Sequence, residues 1–275
     1  MAIDVEDEEG DDYEDDDNPW SSSRLAVIQM VWGEGFTEPG GAKFTKNLLG
    51  WLALNSRQTV LDLSAGLGGT ARAVASAQSL WMDAVEPVPE LATEGRRQSI
   101  VAGLERQVPV TLADLETHEF AKGRYDAIYS RERLFTVRNK ARLLATCTEA
   151  LKVKGQILIT DYLRASDIGG AELTANWGQQ EKILPNAWTM KAYVECLTEL
   201  DLNIITALDI TEDIVDHINA AWRRVPKMIA DGTFSHRQIS YLIKEGEIWQ
   251  DRLQAMESGQ LIVGRIHAQK VKKQP

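Results

Sequence analysis

Cysteine is nearly absent from this chain: 275 residues contain two, Cys147 and Cys196. Neither has a His or Cys neighbour at metal-ligand spacing, so no structural zinc site is expected. Both are expected as reduced thiols of a soluble, cytoplasmic protein. No apolar run approaches the roughly 20 residues of a membrane-spanning helix, and the start is acidic where a secretion signal is basic. Bases are missing altogether from the first seventeen residues, which hold eleven acids: Asp4, Glu6, Asp7, Glu8, Glu9, Asp11, Asp12, Glu14, Asp15, Asp16 and Asp17. So dense a like-charge block repels itself and predicts a disordered tail over 1–19, either solubilising or a dock for a basic protein partner. The net charge of −11 is therefore the tail's, since the acids left in the body match the 30 Lys and Arg. A balanced body offers no cationic surface for nucleic acid.

What is present after the tail is alternation. Ser21-Ser22-Ser23 is a helix cap, followed by an apolar-rich helix over 25–32, a loop over 33–41 and a second helix over 42–54. Strand signals follow at 59–63, 80–85, 108–112, 125–130, 155–160, 203–208 and 260–271. Helices are expected over 89–106, 140–151, 212–229 and 235–256, with another through Tyr193 and Leu197 after an irregular insert beginning at 162. Strands alternating with helices predict a doubly wound, mostly parallel seven-stranded sheet. One domain, 20–275, is the economical division, with the helical pieces as a lid.

The segment Val60-Leu61-Asp62-Leu63-Ser64-Ala65-Gly66-Leu67-Gly68-Gly69 reads as a buried strand, a small-residue turn and a helix start. Such a turn lets a ligand approach the backbone. In an open α/β sheet, ligands sit beyond the carboxyl ends of the strands. Glu86, followed by Pro87, closes the second strand and is placed to accept from both hydroxyls of a ribose. Asp114 closes the third, where its carboxylate suits an adenine amino group with Leu115 against the ring. Two details favour S-adenosylmethionine over a dinucleotide. Asp62 would repel a pyrophosphate but suits the methionine ammonium through water, and Ser130-Arg131 supplies donors for a carboxylate.

These pieces resemble a class I S-adenosylmethionine-dependent methyltransferase of Rossmann-like α/β fold, most similar to the phosphoethanolamine N-methyltransferase family. The motifs that carry the resemblance are Trp32-Gly33-Glu34-Gly35-Phe36 with Pro39-Gly40-Gly41, the loop from Val60 to Gly69, Tyr129-Ser130-Arg131-Glu132, Ile159-Thr160-Asp161-Tyr162 and Gly264-Arg265-Ile266-His267-Ala268. The resemblance implies S-adenosyl-L-methionine as cofactor, bound by Asp62, Ser64, Gly66, Gly68, Glu86, Pro87, Asp114, Leu115, Ser130 and Arg131. The family's tyrosine–histidine pair, which closes the site and takes the amine proton, falls on Trp20 and Thr136 here. Neither is a general base near neutral pH. Ser64 replaces the first loop glycine, and of the family's substrate-phosphate contacts only Tyr162 has a counterpart. The polar groups left for a small-molecule acceptor are Glu132, Tyr162 and Thr136, with His217 and His236 as weaker candidates. The acceptor is an amine, or an oxygen or carbon nucleophile. Two alternatives stand beside this reading: a non-catalytic, cofactor-binding scaffold, and a nicotinamide-dependent oxidoreductase.

Overall fold

The computed structural model describes residues 18–165, 179 and 184–271. The acidic block over 1–17, Trp177 and most of the insert lie outside the described residues. Seven strands form one sheet in the order β3-β2-β1-β4-β5-β7-β6. They are β1 Thr59–Asp62, β2 Trp81–Glu86, β3 Val110–Leu112, β4 Tyr125–Arg131, β5 Leu151–Arg164, β6 Leu202–Asp209 and β7 Leu261–Lys270. Only β7 runs antiparallel to its neighbours, β5 and β6. The predicted mostly parallel α/β sheet is therefore the observed one.

Side chains alternate across the sheet with the period of two that strand geometry imposes. Val60, Met82, Ala127 and Leu158 pack on one face with α2 (Gly41–Gly50) and α3 (Gly69–Gln78). Leu61, Val85, Ile128 and Ile157 pack on the other with α5 (Lys140–Ala150) and α6 (Met190–Glu199). Helix α4 (Pro89–Val101) follows β2. A third core forms between α1 (Ser22–Trp32), α7 (Thr211–Trp222), α8 (Val225–Ala230) and α9 (His236–Glu257), where Trp32 meets Trp222 and Trp249 edge-on. This core is the lid.

Several boundaries differ from the sequence expectation, each for a local reason. Helix α2 stops at Gly50 because Ala53 takes a left-handed φ of 47°, and α4 stops at Val101 ahead of Gly103 at 68°. The expected helix over 212–229 is two helices, since Pro226 cannot donate and starts α8 instead. Strand β5 runs from Leu151 to Arg164, beyond the expected 155–160, because Leu151 pairs with Tyr125 of β4 and β7 pairs with the strand out to Arg164, while Lys154 takes a left-handed φ of 67°. The body also begins before residue 20. Asn18 donates to Glu90 Oε1 (3.1 Å), and the Pro19 carbonyl accepts from the Arg24 guanidinium. Of the two cysteines, Cys147 is buried and Cys196 half-buried, both free.

The turn into α3 is locked to the first loop by close backbone contact. Gly69 N donates to the Gly35 carbonyl at 3.0 Å, and a Cβ on Gly69 would collide with that carbonyl and with Phe36. Gly69→Ala is therefore expected to cost about 2–4 kcal/mol in a urea unfolding series. A loss below about 1 kcal/mol would show that the two loops can part freely.

Candidate functional site

The carboxyl ends of β1, β2, β4 and β5 meet beneath the lid. The β1 turn begins with Asp62, whose Oδ1 accepts from Ser64 N (2.9 Å) and Ser64 Oγ (3.0 Å). Ser64 Oγ in turn accepts from Arg131 N at 2.8 Å, joining β1 to β4. Gly66 and Gly68 have φ of 52° and 77°, the left-handed region that glycine enters without strain. At Gly66 a Cβ would stand 3.2 Å from Thr37 Oγ1, so the small residue also admits the first loop. Glu86, fully buried, holds the turn from the next strand: Oε2 accepts from Gly66 N (2.7 Å) and Oε1 from Val88 N (3.0 Å). Pro87 lies between, half-buried.

Burial pushes Asp62 up to about 6 from its ordinary 3.8, with the negative charge of Glu86 adding to the shift and the Ser64 hydrogen bonds opposing it. Its Oδ2 is buried and makes no hydrogen bond. Below pH 4 the group is protonated in folded and unfolded chains alike and costs nothing. Between pH 4 and 6 only the unfolded chain ionises, so stability falls as pH rises; above 6 the whole cost, roughly 3 kcal/mol, is present. Asp62→Asn is thus expected to raise the Tm of the ligand-free protein by about 3–6 °C at pH 8 and by nothing near pH 4. A variant that melts no higher than wild type at pH 8 would remove this account of Asp62.

The other expected cofactor residues are spread more widely. Asp114 is exposed, its Oδ1 accepting from Glu116 N (2.9 Å) and its Oδ2 from Thr117 (3.3 Å). Leu115 is buried in the sheet core alongside Leu134 and Val137. Ser130 is buried, with an Oγ that makes no hydrogen bond. Arg131 turns towards the first loop and α2: it donates to Thr45 Oγ1 (3.3 Å) and to the Pro39 carbonyl, and lies 5.0 Å from the Phe44 ring centroid. Its Nε stands 2.7 Å from Glu132 Oε2.

Glu132 and Thr136 line a small cavity of about 40 Å³ under the lid, together with Trp20. Glu132 has a left-handed φ of 41°, a strained setting for a side chain, and both its oxygens are buried without a hydrogen bond of good geometry. Thr136 Oγ1 donates to the Arg133 carbonyl at 2.9 Å. Tyr162 is not in the cavity wall. It stands behind Phe135, edge-on at 5.2 Å. Asp161 beside it accepts from Phe135 N (3.0 Å) and Tyr193 Oη (2.7 Å), so it fixes the 3₁₀ turn Leu134–Thr136 that carries Thr136. Burial raises Asp161 to about 7, the Tyr193 hydrogen bond and the Lys140 charge opposing it. His217 is half-buried edge-on to Phe44 (4.7 Å), and His236 opens α9 at the surface.

The lid contributes charges that sequence reasoning missed. Arg24 of α1 pairs with Glu245 of α9, both nearly buried, and Arg252, about two turns further along α9, lies over the rings of Trp249 (4.4 Å) and Tyr162 (5.3 Å). All three line the cavity. A signal was present: Glu245 and Arg252 occupy positions in the apolar stripe of α9 that also holds Tyr241, Leu242, Ile248 and Trp249. Trp20 stands at the boundary between this cavity and an outer groove of about 670 Å³ between α1 and α4.

A doubly wound sheet with a small-residue turn after β1, an acid closing β2 and a helical lid defines a nucleoside-binding α/β protein of the methyltransferase type. The methyltransferase domain family matches residues 40–207, and the chain belongs to that family. It is 26% identical over 202 residues to phosphoethanolamine N-methyltransferase of Plasmodium falciparum, covering 72% of this chain and 73% of that protein. It is 26% identical over 212 residues to phosphoethanolamine N-methyltransferase 1 of Arabidopsis thaliana, covering 77% of this chain but only 42% of the plant protein. The chain therefore spans less than half the length of that relative. Among solved structures, Haemonchus contortus phosphoethanolamine N-methyltransferase 2, in complex with phosphomonomethylethanolamine and S-adenosylhomocysteine, superposes with a TM-score of 0.79 at 19% identity, covering 90% of this chain and 57% of that one. A putative sarcosine dimethylglycine methyltransferase from Galdieria sulphuraria gives 0.74 at 17% identity, covering 90% and 98%. At such identities these two establish the fold. Among the described residues no helix is long and apolar enough to cross a membrane, and no His, Cys, Asp and Glu group could hold a metal ion.

Proposed function

We propose that this chain is an S-adenosyl-L-methionine-dependent methyltransferase acting on a small amine. The observation that carries the reading is Glu86: a fully buried carboxylate at the tip of β2, held by Gly66 N and Val88 N beneath the lid. The donor set fits the cofactor. Glu86 retains acceptor capacity for a ribose diol, the buried Asp62 Oδ2 is available to an ammonium, and Gly66 and Gly68 keep the turn clear of side chains. When bound, the cofactor supplies an activated methyl group on a sulfonium, to be taken in line by a nucleophile.

The chain's own residues then have to position an amine and accept its proton. Glu132 suits that role: it fronts the cavity, and Arg131 secures its carboxylate at 2.7 Å. Thr136 can accept a hydrogen bond from the ammonium but cannot keep its proton. The Trp20 ring provides a face for a methylated cation, worth about 0.5–2 kcal/mol. Relatives named for phosphoethanolamine and for dimethylglycine act on amines that also carry an anionic group, and Arg24 and Arg252 in the cavity wall suit such a group.

The direct test is calorimetry with S-adenosylmethionine, followed by release of S-adenosylhomocysteine with a panel of small amines. Glu132→Gln is expected to lower turnover by about 100-fold or more while leaving cofactor affinity within threefold, the range general-base removal gives. Binding of the cofactor with no turnover on any amine, oxygen or carbon acceptor would favour a scaffold that kept the site.

A further inference from the structure

Arg133 follows Glu132 and occupies a position the cofactor reading leaves without a role. Its side chain is 16% exposed and its Nη2 stands 3.4 Å from Glu86 Oε1. Glu86 has no exposed surface and is absent from the cavity wall, whereas Arg133 lines that wall and touches Glu86. Gly66 N and Val88 N already donate one hydrogen bond each to this carboxylate. A carboxylate has about four acceptor positions, so an incoming ribose diol and the guanidinium compete for what is left. The guanidinium is also poorly satisfied where it is: its Nε is buried and makes no hydrogen bond. The cavity, about 40 Å³, is far too small for a nucleoside while the Arg133 side chain and its neighbours stand in it.

We infer that Arg133 is a built-in competitor for the ribose subsite, seated on Glu86 in the ligand-free protein and displaced when an adenosyl ligand enters. The inference rests on the cofactor reading given above. It follows that the ligand-free state raises the apparent Kd by the reciprocal of the fraction of molecules in which Glu86 is free. The position is specific to the ribose end, because the guanidinium contacts Glu86 and not Asp62.

The experiment is calorimetric titration of S-adenosylhomocysteine into wild type, Arg133→Gln and Arg133→Lys, repeated in a Glu86→Gln background. S-adenosylhomocysteine lacks the sulfonium charge, so relief of repulsion between a sulfonium and the guanidinium cannot produce the gain. Arg133→Gln is expected to bind it about 3–10-fold tighter, the scale of a partly buried ion pair. Arg133→Lys, which keeps the charge but not the planar fork, is expected between the two. The gain should vanish when Glu86 is already Gln, as a double-mutant cycle requires. Unchanged or weaker binding by Arg133→Gln, with wild type binding normally, overturns the inference and makes Arg133 a bystander or a ligand contact. If no variant binds either S-adenosylhomocysteine or S-adenosylmethionine, the cofactor reading falls with it. Thermal unfolding of each variant without ligand confirms that the fold is retained.

Discussion

Glu86→Gln is expected to weaken S-adenosylhomocysteine binding by roughly 100-fold to 1000-fold. Two hydrogen bonds from ribose hydroxyls to a buried carboxylate are charge-assisted, about 1.5–3 kcal/mol each. The amide also has one oxygen where the carboxylate offers two, yet Gly66 N and Val88 N both need an acceptor. One of these donors would face an amide NH₂, which loosens the turn that shapes the subsite. Glu86→Asp keeps the charge but withdraws it by one methylene, so an intermediate loss is expected. Asp114→Asn, on an exposed side chain, should cost about tenfold or less. Isothermal calorimetry at one ionic strength measures all three, and a Glu86→Gln protein that binds within threefold of wild type would end the nucleoside reading of this sheet edge.

Arg24→Ala is expected to destabilise the protein by about 3–5 kcal/mol. Arg24 and Glu245 are both nearly buried, and α1 is held to α9 partly through them. Removing the guanidinium takes from the buried Glu245 the opposite charge that Arg24 supplies, the expensive way to break a buried pair. Contact of Arg24 with the Trp20 ring, 5.1 Å from its centroid, is lost as well. By contrast, the double replacement Arg24→Met with Glu245→Met is expected to fall within about 1 kcal/mol of wild type or above it, since apolar side chains carry no desolvation cost. Urea unfolding of both variants decides the matter. A single Arg24→Ala loss under about 1 kcal/mol would mean that water or other groups of the lid hold the Glu245 charge without Arg24.

The strands at the site's floor were legible because their signals are local. The run from Val60 to Gly69 carries its own strand, turn and helix start, and Glu86 is placed by the end of the strand that precedes it. Burial of Glu86 and Asp62 follows from where β-strand tips sit in an open sheet. Boundaries failed where tertiary pairing overrode the local pattern. Strand β5 is lengthened by β7, a strand about a hundred positions away. Residues 18 and 19 looked like the acidic tail's end, yet contacts with Glu90 and Arg24 make them part of the body.

The cavity was the least legible part. Trp20 and Thr136, the positions on which the family's pair falls, both line it. Tyr162, from the same motif as Asp161, points behind Phe135 instead. In a strand, neighbouring residues face opposite ways, and which of them faces the cavity depends on what the lid places against it.

From its residues alone, then, the chain determined the parallel α/β architecture, the small-residue turn and the acids that close β1 and β2, because hydrophobic period and turn chemistry act within a few positions. Tertiary structure decided which charges entered the lid. Arg24 and Glu245 lie 221 positions apart; the energy that permits a buried charge comes from partners brought together by the fold, and no local pattern can state it.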